Sequence, residues 1–202
     1  MNASNPYDGA RIAGTVGVPL PGVEIRVTDP ESGTPLAPGE VGMIEVKGPN
    51  VFKGYWRMPE KTEQEFRSDG FFITGDLGQF DDNGYLRIVG RGKDLIITGG
   101  YNVYPKEIEI AIDALDGVRE SAVIGVPHPD FGEGVTAVVI PEPGVRLEAN
   151  AIVEALSGSL ARFKLPKQVF VIDSLPRNTM GKVLKNELRD RYANIYQAAT
   201  QA

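Results

Sequence analysis

Four short, polar, glycine-containing segments interrupt the hydrophobic runs of this sequence: Thr74-Gly75-Asp76, Gly90-Arg91-Gly92-Lys93-Asp94, Thr98-Gly99-Gly100-Tyr101-Asn102 and Asn178-Thr179-Met180-Gly181-Lys182. Glycine lets a backbone approach a ligand closely, and the charges beside it either bind ions or are solvated. An acid that accepts hydrogen bonds from hydroxyls and a cation that offsets phosphate charge make a complementary pair, and Asp76 with Lys182 supplies one of each. Taken singly, Asp76 also reads as a turn residue and Lys182 as a solvated lysine just ahead of a helix.

Other chemistries are excluded by residue type or spacing. The chain has no cysteine, hence no disulfide, no thiolate-bound zinc and no thiol nucleophile; this suits a reducing cytoplasm, the expected location. A single histidine, His128 between two prolines, rules out a histidine metal cluster, and no metal site is expected from these residues. Gly90-Arg91-Gly92 begins a dinucleotide fingerprint, but Leu95 stands where its third glycine belongs; Gly181-Lys182 is followed by Val183 where a P-loop needs Ser or Thr. Asp81-Asp82-Asn83-Gly84 lacks the alternating ligands of a calcium loop. The net charge of −6 repels nucleic-acid backbones, and no basic stripe interleaved with aromatics compensates locally, so no nucleic-acid partner is expected. The longest apolar runs are strand-sized, well short of the ~20 residues that span a bilayer, so no membrane partner is expected either.

The elements that must position these segments fall into two textures. At 202 residues with 42% hydrophobic content, the chain is long enough for a core without staples. Residues 1–92 carry alternating stretches such as Val23–Val27 and Met43–Lys47, which predict strands buried on one side only. Asp82-Asn83-Gly84 predicts a hairpin between Gly78-Gln79-Phe80 and Tyr85 to Val89, and Pro59 to Arg67 predicts one helix. From residue 93 to 202, α and β elements alternate: strand Leu95–Thr98, helix Pro105–Leu115, strands Ala122–Val126 and Val135–Ile140, helix Ala149–Leu160, strand Gln168–Ile172 and helix Lys185–Tyr196. Leu184, Leu188, Tyr192 and Ile195 give that last helix one apolar face. The fold class expected is α+β, with the domain boundary near Gly92-Lys93.

In combination and in this order, GMIEVKGPNVFKGYW (42–56), FFITGDL (71–77), GYLRIVGRGKDLIITGGYNVYPKEIE (84–109) and PRNTMGKVLK (176–185) resemble the acyl-activating adenylate-forming enzymes, the AMP-binding superfamily of acyl-CoA synthetases. NPYDG (5–9), GTVGVPLPGV (14–23), GPNVFKGYWRMPEKT (48–62) and FGEGVTAVV (131–139) give the chain most likeness, within that family, to malonyl-CoA synthetases. The resemblance implies a partial, distorted β-barrel subdomain over 1–92, the last of a large N-terminal domain, followed by a small mobile α+β C-terminal domain over 93–202.

It also implies two half-reactions. A carboxylate, here a short dicarboxylate such as malonate, attacks the α-phosphate of Mg-ATP to give acyl-adenylate and pyrophosphate; coenzyme A then displaces AMP. On the family's pattern, Asp76 accepts from the ribose hydroxyls and Arg91 contacts the ribose side of the nucleotide. Lys182 bridges carboxylate and phosphate oxygens, Lys93 is the hinge, eased by Gly92, and Gly99, Gly100, Tyr101 and Asn102 line the pantetheine channel. Pro176 to Lys182 further resembles the pattern taken by lysine acetyltransferases, which implies such an enzyme as a partner acting on Lys182. The family's Ser/Thr/Gly-rich phosphate loop, the glutamate that helps bind Mg²⁺ and the acyl-pocket walls do not occur in this sequence. The expectation is therefore the C-terminal portion of a ligase, inactive without its N-terminal part as partner; the alternative is a non-catalytic interaction module derived from such an enzyme.

Overall fold

The computed structural model describes residues 1–197, and the chain divides into two compact units, Met1–Lys93 and the residues from Asp94 on. The first unit opens with a two-stranded antiparallel ribbon, β1 (Ala3–Ser4) with β2 (Val18–Pro19). Its main feature is an antiparallel meander of β3 (Glu24–Thr28), β4 (Gly42–Lys47), β5 (Phe72–Phe80) and β6 (Leu86–Arg91), ordered as in the sequence, with helix α1 (Pro59–Glu65) between β4 and β5. This sheet is open and does not close into a barrel. Val27, Ile44, Val46 and Leu86 form its core, with Val16, Ile25 and Phe72 packed against them.

Two local expectations are corrected here. Helix α1 stops at Glu65 rather than Arg67, because Phe66 turns to extended backbone and its ring joins Phe52 and Phe72 at 5.5 and 5.2 Å. The alternation in β4 does not leave one side wet either: Glu45 is fully buried. A buried carboxylate needs partners on both oxygens. Arg26 Nε donates to Oε2 at 2.8 Å, while Arg67 Nε and Thr28 Oγ1 donate to Oε1 at 2.7 and 3.1 Å. Arg26 reaches on to Asp69 at 2.6 Å and lies over the Phe71 ring at 3.8 Å.

The second unit follows a short 3-10 turn over Gly92–Asp94 that delays β7 (Ile96–Thr98) by one residue. Strand β8 (Tyr101–Val103), helix α2 (Pro105–Asp113), the long antiparallel pair β9 (Val118–His128) and β10 (Gly132–Pro141), helix α3 (Ala149–Leu156), β11 (Gln168–Val171) and helix α4 (Lys185–Tyr192) complete it. Strand β11 runs parallel to β10, and β7 meets β10 at Thr98 and Gly132. One face of the sheet, with Val123, Val135, Ala137 and Val139, is covered by Ile108 and Ile112 of α2 and Ile152 and Leu156 of α3. The other, with Ala122, Ile124, Val126 and Val138, is covered by Leu188 and Tyr192 of α4 and by Tyr196 just beyond it. The helices are shorter than their apolar patterns predict: α2 ends before Leu115, α3 before Leu160, and α4 at Tyr192 instead of Tyr196. Among the described residues no helix is long and apolar enough to cross a membrane.

The Asp69 carboxyl is held below the usual carboxylate range chiefly by the hydrogen bond from Arg26. A depressed acid stabilises the fold above its unfolded value, near pH 4, and loses that contribution as pH falls through the folded value. Urea unfolding of the first unit is expected to show a midpoint that declines as pH drops below about 4, with a shallower decline in Asp69→Asn. Equal slopes for the two proteins would remove Asp69 from that role.

Candidate functional site

Asp76 and Arg91 are brought together by strand register: they are directly paired across β5 and β6, next to a register shift at Leu77 and Gly78. Arg91 Nε forms an ion pair with Asp76 Oδ1 at 2.7 Å. The strand is bent here by Gly75, whose φ of 74° suits glycine. Thr74 fixes the bend: its hydroxyl donates to the Ile44 carbonyl at 2.8 Å and accepts from the Asp76 N–H at 3.1 Å. Asp76 and Thr74 lie on the wall of a cavity of about 220 Å³ whose other sides include Val16, Ile25, Ile44 and Leu86. The side chains of Arg91 and Asp76 stay 47% and 25% exposed, so the pair is reachable by solvent and by a solute. Lys93 lies in the 3-10 turn Gly92–Asp94, where the two units divide.

In the second unit, Gly99 and Gly100 are the whole of the turn between β7 and β8, with φ of 58° and 81°. Positive φ at both central positions defines a turn that matches the strands' twist and that residues with a Cβ resist. The turn delivers Tyr101, 58% exposed, onto the ring of Phe163, stacked with centroids 4.6 Å apart. Thr98, Gly99, Tyr101, Phe131, Phe163, Arg162 and Lys167 line a groove of about 540 Å³, over which Lys167 lies 3.8 Å from the Phe131 ring centroid. Asn102, exposed on β8, does not line this groove. The sequence reading missed Phe163, Arg162 and Lys167; the 3-10 turn Arg162–Lys164 that presents the first two carries no glycine-rich signal.

Lys182 is exposed at the end of a tight loop. The Asn178 side chain organises it, accepting from the N–H groups of Met180 at 3.0 Å and Lys182 at 2.9 Å. Gly181, at φ 80°, reverses the chain, and its N–H donates to the Asn178 carbonyl at 2.9 Å. No group of three or more His, Cys, Asp or Glu side chains among the described residues is placed to hold a metal ion.

An open sheet followed by an α+β unit is the fold this chain shares with adenylate-forming enzymes of known structure. Two family sequence profiles match accordingly: "AMP-binding enzyme" over residues 2–56 and "AMP-binding enzyme C-terminal domain" over residues 107–182. The chain belongs to this AMP-binding family, and its relatives are acyl-CoA ligases. It is 45% identical over 188 residues to a feruloyl-CoA synthase of an Amycolatopsis species, covering 92% of this chain and 38% of the relative. It is 42% identical over 205 residues to the malonate–CoA ligase of Arabidopsis thaliana, covering 96% and 33%. Among solved structures, ATP-bound MatB from Rhodopseudomonas palustris matches with 67% identity and a TM-score of 0.92, over 97% of this chain and 39% of that one. The chain thus spans between a third and two fifths of the length of these relatives.

The Gly99-Gly100 turn carries a direct prediction. Gly100→Ala places a Cβ at φ 81°, with a cost of roughly 1–2 kcal/mol. The expected result is a lowered urea midpoint of the second unit; an unchanged midpoint would show the turn to be replaceable.

Proposed function

We propose that this chain supplies the ribose-binding pair and the adenylating lysine of an ATP-dependent acyl-CoA ligase whose acid is malonate. In the first half-reaction a carboxylate oxygen bonds to the α-phosphorus of ATP and pyrophosphate leaves. In the second, the thiol sulfur of coenzyme A bonds to the acyl carbon, AMP leaves and the thiol proton is released. Asp76, an acceptor-only group when ionised, suits the two ribose hydroxyls, and Arg91 fixes the orientation of that carboxylate. Lys182 brings a compact cation to the oxygens on which negative charge accumulates during adenylation. Lys93 is the residue we assign as the pivot for exchange between half-reactions. The Gly99 to Asn102 turn serves the pantetheine arm, and the adjoining groove, with stacked Tyr101 and Phe163 beside Arg162 and Lys167, offers ring faces to a base and cations to phosphates.

The observation that carries this reading is the Lys182 loop: its backbone is pinned by Asn178 while the ammonium group is left exposed. The 42% identity to the malonate–CoA ligase of Arabidopsis thaliana supports malonate as the acid. Mg²⁺ and the β- and γ-phosphates need groups this sequence does not contain, so the 202-residue chain by itself is expected to be inactive. Acetylation of Lys182 by an acetyltransferase would abolish the charge that adenylation uses.

The test is AMP release from Mg-ATP, malonate and coenzyme A, by the chain alone and by the chain grafted onto the remaining portion of R. palustris MatB. No AMP is expected from the chain, and turnover from the graft. Lys182→Ala is expected to slow adenylation by roughly 100-fold or more, and Asp76→Ala to raise KM for ATP by about 10-fold or more. AMP formation that survives Lys182→Ala would sink the assignment of that lysine.

A further inference from the structure

The loop that carries Lys182 is closed on itself. Arg177 and Val183 form an antiparallel bridge, the Asn178 N–H donates to the Lys182 carbonyl at 3.0 Å, and the Leu184 N–H donates to the Pro176 carbonyl at 2.8 Å. A closed loop fixes its own shape but not its place on the protein, and two ion pairs supply that. Upstream, the Arg177 guanidinium is divided between two acceptors: Nη1 donates to the Gly181 carbonyl at 2.7 Å, and Nη2 pairs with Glu120 of β9. Downstream, Lys185 Nζ lies 2.5 Å from Glu109 Oε1, and the same oxygen accepts the N–H of Val123 in β9 at 3.0 Å. The loop is thus tied to β9 directly at its upstream end and, through Glu109 of α2, at its downstream end.

We propose that Arg177, through Glu120, is a positioning residue for Lys182. It touches the carbonyl of the residue directly before Lys182, and it ties that carbonyl to a strand of the sheet rather than to another part of the loop. A planar fork holds two acceptors in fixed directions at once, whereas a lysine at this position offers a flexible point charge that does not fix their spacing. Loss of the brace lets the loop tilt and open more often, which transiently breaks the Asn178 bond to the Lys182 N–H and spreads the positions that the Lys182 ammonium samples. A small misplacement of a charge-stabilising group lowers rate strongly. The effect falls on adenylation, the step that uses Lys182, and this part rests on the reading of Lys182 given above.

Two measurements test it. In the full 202-residue chain, NMR amide exchange is expected to speed up about tenfold or more at Lys182 in Arg177→Ala and in Arg177→Lys, with Ile124 and Leu188 unchanged. Unchanged exchange at Lys182 overturns the brace, as does a loss spread equally over those core amides. In the graft, both variants are expected to lower kcat of adenylation about tenfold with KM for ATP within twofold, and to leave thioester formation from supplied acyl-adenylate intact. Glu120→Gln, which keeps the shape of the pair and removes its charge, should give a smaller loss of the same pattern. A parallel fall in both half-reactions marks a merely structural residue and overturns the proposal. Adenylation that falls in Lys182→Ala but holds in Arg177→Ala overturns the brace alone, while adenylation that survives Lys182→Ala overturns the reading of Lys182 itself.

Discussion

Strand β10 has no wet face. Val135, Thr136, Ala137, Val138 and Val139 are all fully buried, and the strand is hydrogen-bonded to β9 on one side and to β11 on the other. Burial of that kind requires two covers, and the chain provides them in sequence order: α2 and α3 first, α4 last. To lay down the second cover, the chain must leave β11, cross the sheet and arrive at β9. It buries Leu175 on the way and meets Glu120 and Glu109 at the far side. The segment making that crossing is the one that carries Lys182. The site of the lysine is therefore a consequence of how a doubly buried strand is enclosed.

The two arginine–carboxylate constellations of the first unit have opposite physical character. Glu45 is sealed from water and takes three donors from Arg26, Arg67 and Thr28, the condition under which a buried charge is tolerable. The pair Asp76–Arg91 is accessible and borders a cavity. Exposed ion pairs contribute only about 0–1 kcal/mol, so the close placement of Asp76 and Arg91 is poorly accounted for by stability. Both constellations hang on β4, since Thr74, which sets the bend at Asp76, is anchored to the Ile44 carbonyl one residue before Glu45.

The sequence made the short-range features legible. Double glycine at 99–100 announced its own turn, Pro59 and Pro105 opened the helices they suggested, and the motif order pointed to the family that the profiles match. What it concealed depends on distant partners. Glu45 reads as an outward strand position because its arginines lie 19 and 22 residues away. Strand β9 runs to Val118 although Arg119, Glu120 and Ser121 break its apolar run, because Glu120 pairs with Arg177 and Ser121 with Asp113. Phe163 gives no hint of its stacking on Tyr101, since the two approach only when the 3-10 turn and the hairpin are folded.

The closed loop around Lys182 also separates two properties that exposure alone would join. A trypsin-like protease cuts after lysine only when several flanking residues lie extended in its cleft. Here the backbone on either side of Lys182 is folded back, with Pro176 bonded to Leu184 and Asn178 to Lys182. The side chain is thus open to small reagents and to an acylating enzyme's reach, while the peptide bond after it is expected to resist cleavage. Limited tryptic digestion followed by mass analysis reads the difference, and early scission between Lys182 and Val183 would show that the loop opens readily.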